Sequence, residues 1–244
     1  MKRKELVLAI LLVAGSMATP AYATPNYIYT ATVSGATASG PDKEPENATA
    51  RFVFNSTFTS LSLTLSNTAG SGQLGAIASV LDGISFVLGG VSASALSLTS
   101  LSDPGGTIAC AKQAQTSLCT FDDTPVDLST SGWTYKAADT LLSAGNGSYK
   151  PYGIVNGKIT ATDGIPNDEH NPYLNGPVSF EFVITNAAHN ALTLDSAKLY
   201  FGTKPDIQTA IITSVPEPES YAMLLAGLSL IGTLVHRRRD WRPR

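Results

Sequence analysis

The sequence predicts an all-β protein, an antiparallel β-sandwich of jelly-roll-like build, and three observations predict it. Apolar and polar residues alternate with a period of two in several segments, most clearly Leu61, Leu63 and Leu65 against Ser62, Thr64 and Ser66. Such spacing gives a strand one dry face and one wet face. Charged residues are only 14 % of the chain, so polarity comes from Ser, Thr, Gly and Asn, which suit pleated sheet and tight turns. No long amphipathic helix is visible between residues 24 and 214.

Residues 1–23 read as a secretory signal peptide. Lys2, Arg3 and Lys4 precede an apolar run over 6–14, and Ala21-Tyr22-Ala23 supplies the small side chains a signal peptidase accepts. Cleavage is expected after Ala23. An uncleaved anchor would need an apolar core of about twenty residues.

The body, 24–214, carries the strands. Alternation places them at 27–33, 48–55, 58–67, 83–88, 95–101, 178–185 and 198–202, with a short turn of helix at 79–81. Turn-rich stretches such as Asp103-Pro104-Gly105-Gly106 and Asn146-Gly147-Ser148 separate them. Many short strands with frequent turns indicate two packed sheets, and no internal repeat suggests a propeller or solenoid. About 190 residues suffice for one domain with a sizeable core.

The whole-chain net charge of −3 understates the body. Between residues 24 and 215 eight Lys and Arg face fifteen Asp and Glu, a net of −7. Nucleic acid and anionic lipid, which call for a basic surface, are disfavoured as partners. Cys110 and Cys119 are the two cysteines. In an exported chain such a pair is most simply a disulfide closing a small loop, a contribution of ~2–3 kcal/mol.

Chemistry-bearing motifs are sparse. There is no G-x-S-x-G elbow, H-E-x-x-H pair, Walker loop or dinucleotide fingerprint, and no catalytic residue is assigned. The densest oxygen-ligand cluster, Asp163, Asp168 and Glu169 beside His170, is where calcium would fit. Its spacing is not that of an EF-hand, and an exposed polar loop explains it more simply. A hydrolytic acid pair could still be assembled from distant strands. Asp122-Asp123 reads as a turn. Trp133 and Tyr135 share a strand face and would stack either on a sugar ring or, more economically, in the core. Asn47, Asn55 and Asn146 fit the N-glycosylation pattern, which chance explains in so Ser/Thr-rich a chain. No cofactor is expected.

The last segment, 215–240, has three parts. Pro216-Glu217-Pro218 is extended and resists helix, because each proline fixes φ and removes a donor. An apolar stretch over 221–235 follows, then Arg237, Arg238 and Arg239. Fifteen helical residues reach about 22 Å, short of a ~30 Å hydrocarbon core, so the span is marginal and relies on snorkelling arginines. The arginines stay cytoplasmic by the positive-inside rule, which turns the body outward.

Triplet, short helix and arginine cluster together resemble the PEP-CTERM sorting domain of Gram-negative bacteria. The resemblance implies processing near the triplet by exosortase, a membrane protease-transpeptidase. The body is similar to a group of exosortase-dependent surface proteins through Leu63-Thr64-Leu65-Ser66-Asn67-Thr68, Val80-Leu81-Asp82-Gly83-Ile84-Ser85-Phe86 and Tyr200-Phe201-Gly202-Thr203. Tyr152-Gly153-Ile154 and Asn171-Pro172-Tyr173 fit that group's central region. The expectation is therefore a non-enzymatic protein that meets signal peptidase and exosortase. It would pass through the inner membrane and act as a structural or adhesive domain among surface polysaccharides or extracellular matrix. A carbohydrate- or calcium-binding module is the alternative, and a secreted hydrolase the weaker one.

Overall fold

The computed structural model describes residues 27–37, 45–69, 79–102, 106–113, 116–122, 132–144, 151–156, 171–185, 192–202 and 206–215, with 228, 229 and 231 near the end. Fifteen strands form there. They are β1 Tyr27–Thr37, β2 Pro45–Phe54, β3 Ser60–Asn67, β4 Leu81–Gly89, β5 Leu96–Ser102, β6 Thr107–Gln113, β7 Thr116–Asp122 and β8 Thr134–Lys136. β9 Leu141–Ser143, β10 Ile154–Val155, β11 Tyr173–Asn175, β12 Val178–Ile184, β13 Thr193–Phe201, β14 Asp206–Thr209 and β15 Ile211–Val215 complete the set. The chain is all-β, as expected.

Two sheets share the strands. One has six in the order β15-β1-β2-β3-β12-β5, all antiparallel. The other has nine, β14-β13-β4-β10-β11-β6-β7 with β9 and β8 joined to β4. Its pairings are antiparallel except β10 with β11. Here β1, β2 and β3 run as a meander within one sheet, where a jelly roll would carry successive strands across to the other.

Sequence alternation builds the interior. In β3 every second residue is buried, and the register sets Leu63 between Phe52 on one side and Phe180 on the other. Phe52, Leu63 and Phe180 have no exposed surface. The opposite sheet answers with Ile84, Phe86, Leu88, Leu199 and Phe201 in the same cluster. Phe86 links the layers, its ring lying 5.3 Å from Phe52 and 6.0 Å from Phe182 by centroid, both edge-on. Edge-to-face rings add to what area burial alone contributes.

Where the strands depart from expectation, the reasons are local. The strand expected at 58–67 starts at Ser60, because residues 55–59 form a turn. The Asn55 carboxamide oxygen accepts from the backbone N–H of Thr59 and Ser60 at 2.8 and 3.1 Å. Phe58 adopts φ 54° there, a left-handed conformation costly for a bulky residue, and stacks on Tyr27 at 4.7 Å. The strand expected at 198–202 is the end of the longer β13. A register shift between Leu194 and Ser196 breaks the alternation, so buried Leu194 and Ala197 are three apart, and the period of two resumes at Ala197, Leu199 and Phe201. The strand expected at 83–88 begins earlier, at Leu81, where a turn of helix is expected, and residues 81–84 are buried on both faces.

Candidate functional site

Three regions carry the features that bear on function. The first is a closed polar junction at one end of the sandwich. Asn67 ends β3 at 5 % exposure. Its amide donates to the carbonyls of Ser79 (2.7 Å) and Ile154 (3.1 Å), and its oxygen accepts from the Ala69 N–H (3.0 Å). The Gly202 N–H donates to Val80 O (2.9 Å), Ala144 N–H to Asp82 O (2.9 Å) and Leu174 N–H to Gly153 O (2.9 Å). Tyr152 N–H donates to Pro172 O. Gly153 packs so closely on Val80 and Asp82 that a Cβ would overlap both side chains. All five phrases singled out in the sequence meet here.

Asp82 is 2 % exposed and Tyr173 fully buried. Burial, then the neighbouring Asp82 charge, pushes the Tyr173 phenol well above the usual tyrosine range. Such a phenol stays protonated near neutral pH, and a carboxylate so enclosed has little access to substrate. The arrangement can lock strands together; it is poorly placed for acid–base exchange with a ligand. Because the folded phenol holds its proton more tightly than the unfolded one, its contribution is complete below about pH 10 and falls as pH rises further. Tyr173→Phe should therefore flatten the loss of stability seen in thermal melts as pH rises above about 10. An unchanged alkaline slope would place the effect elsewhere.

A second buried carboxylate, Glu46 on β2, accepts from Gln208 Nε2 on β14 at 2.7 Å and so bridges the two sheets. Sequence reading missed it, since nothing in Pro45-Glu46-Asn47 marks an interior acid.

The second region is a shallow recess of about 100 Å³ lined chiefly by Phe86, Leu88, Val91, Leu96, Tyr135 and Thr140. Small-molecule sites usually enclose roughly 300–1,000 Å³. Trp133 does not open onto a sugar-sized face. It is 4 % exposed, lies 4.9 Å from the Phe180 ring, and donates its indole N–H to Tyr152 O at 3.0 Å. The core-packing alternative holds for it. Tyr135 is half-buried against Phe86 and Phe182, and burial raises its phenol too.

The third region is where β15 meets β1. Ile28 pairs with Val215 and Thr32 with Ile211, so the outer strand of the six-stranded sheet runs directly into Pro216-Glu217-Pro218. The triplet, the stretch 221–235 and Arg237 to Arg239 lie outside the described residues apart from Leu228, Ser229 and Ile231. Among the described residues no helix is long and apolar enough to cross a membrane.

Of the remaining expectations, the signal peptide, Asp163, Asp168, Glu169 and His170 also lie outside the described residues. Among those described, no group of three or more His, Cys, Asp or Glu could hold a metal. Cys110 and Cys119 stand directly opposite each other on β6 and β7.

The chain carries the PEP-CTERM protein-sorting motif, matched over residues 214–239. The match begins inside β15, at Ser214. No curated protein and no solved structure matches the chain.

Proposed function

We propose that this exosortase-dependent chain is a structural or adhesive protein of the Gram-negative cell surface or extracellular matrix, acting without catalysis. The observation that carries the reading is the junction of fold and signal. A sandwich whose last strand is paired to its first passes straight into a PEP-CTERM motif. A signal peptide over 1–23, an apolar helix over 221–235 and arginines kept inside would hold the domain briefly on the outer face of the inner membrane.

The non-catalytic part draws support from the interior. The described buried carboxylates, Glu46 and Asp82, are absorbed by the packing of the two sheets. A carbohydrate- or calcium-binding module is the competing reading. Its calcium version would use Asp163, Asp168 and Glu169, and calorimetry with Ca²⁺ on the intact protein and on Asp168→Ala would test it.

Directly opposed cysteines on neighbouring antiparallel strands sit within the Cα separation a disulfide spans, which supports a Cys110–Cys119 bond. One mass-spectrometry experiment on protein recovered from its own host addresses processing and this bond together. The expected result is a new C-terminus within 216–218 and a mass gain on alkylation only after reduction. Recovery of mature protein still ending at Arg244 would overturn the processing reading. Alkylation without reduction would overturn the bond.

A further inference from the structure

The pairing of Ile28 with Val215 fixes which end of the sandwich lies beside the sorting tail. The same end holds Phe54, paired to Tyr27, and Leu61, paired to Phe54. Further along the sheet it holds Val183, paired to Ser60, and Leu96, paired to Ile184. Among the described residues, two connections close the six-stranded sheet there, 55–59 and 90–95. Neither contains Asp, Glu, Lys or Arg. Their surface is hydroxyl and amide: Asn55, Thr57 and Thr59 hydrogen-bond one another, as do Ser92 and Ser94. Tyr27, 44 % exposed, stacks on Phe58 at the rim. Arg51 and Glu181 lie three residues in from this rim and cancel, while Lys136, Asp139 and Asp195, on or beside strands of the other sheet, sum to −1.

The opposite end differs. By sequence, the segments that leave the strands there include 38–44 and 103–105, which contain Asp42, Glu44 and Asp103 with Lys43 as their one cation. Strands of eight to eleven residues separate the ends, about 26–36 Å at the usual rise per residue. That is several Debye lengths at physiological salt, about 8 Å each.

Five residues, 216–220, separate Val215 from the apolar stretch, a reach of about 17 Å when extended. We infer that the Tyr27–Phe58 end of the six-stranded sheet rests against bilayer headgroups while the tail anchors the chain, its acidic end turned away. The body's net charge of −7 would by itself be repelled by an anionic leaflet. Placing charge-free turns and an amphipathic tyrosine beside the anchor removes most of that repulsion, and Tyr suits the headgroup zone. The inference rests on the reading that the tail holds the chain at a membrane.

The test uses the full chain in phosphatidylethanolamine–phosphatidylglycerol vesicles, with flotation and hydrogen–deuterium exchange read together. Backbone exchange in 55–59 and 90–95 should slow at least about threefold relative to a tail-deleted chain mixed with the same vesicles, and 101–107 should not change. The double variant Ser92→Glu, Ser94→Glu, at two exposed positions, should lose this protection at 90–95 on phosphatidylglycerol-containing vesicles and regain it on neutral ones. Flotation without protection at this end, or equal protection at both ends, would overturn the inference and leave the anchoring reading standing. A full chain that does not float would overturn both.

Discussion

Asn67→Ala should cost about 3–5 kcal/mol of folding stability, read as a lower urea midpoint with unchanged slope. The Asn67 side chain makes three hydrogen bonds at 2.7–3.1 Å, two to carbonyls and one from an amide, while 5 % exposed. Each buried backbone group left without its partner costs about 1–3 kcal/mol, and water entering the gap recovers part of the sum. A domain with about 5–15 kcal/mol in total would lose a large share of it. Asn67→Asp gives a sharper version. It keeps an acceptor for Ala69 but turns an oxygen toward the carbonyls of Ser79 and Ile154, and should fare no better. A loss below about 1 kcal/mol in both variants would mean that the junction does not hold the strands together.

Phe86→Ala should cost a comparable amount, about 3–5 kcal/mol. Its ring touches Phe52 and Phe182 from the six-stranded sheet and Tyr135 beside it. Truncation removes contacts to both layers and enlarges the adjoining recess, so neighbouring side chains can collapse only in part. Phe86→Leu keeps most of the volume and should cost roughly 1–1.5 kcal/mol. If the alanine and leucine variants unfold at the same urea concentration, the ring is not what joins the sheets.

Much of the fold is legible in single segments. Leu61, Leu63 and Leu65 announce a half-buried strand because a period of two depends only on backbone geometry. The same period puts strands at 178–185 and 95–101, within a residue or so of β12 and β5. The misses have a common cause. β13 is bulged, β8 to β11 are two or three residues long, and β4 is buried on both faces at its start. In each, the ladder partner decides the conformation, and that partner lies far away in sequence.

The functional features divide the same way. Pro216-Glu217-Pro218, the apolar stretch and the arginines act as a linear signal, so their chemistry is readable in order along the chain. The five phrases of the body were visible as phrases, but nothing local says that Asn67 reaches Ile154 or that Gly153 lies against Asp82. Trp133 was readable as aromatic, and only the Phe180 ring packed on it decides that it serves the core.

By itself, then, the sequence determined the strand-rich composition, the acidic body and the sorting signal, because each depends on residue type and near-neighbour spacing alone. Tertiary structure decided which strands are neighbours, which acids are buried and which end of the sandwich adjoins the tail. Those depend on contacts such as Ile28 with Val215, some 190 residues apart, that exist only once hydrophobic burial has brought the two sheets together.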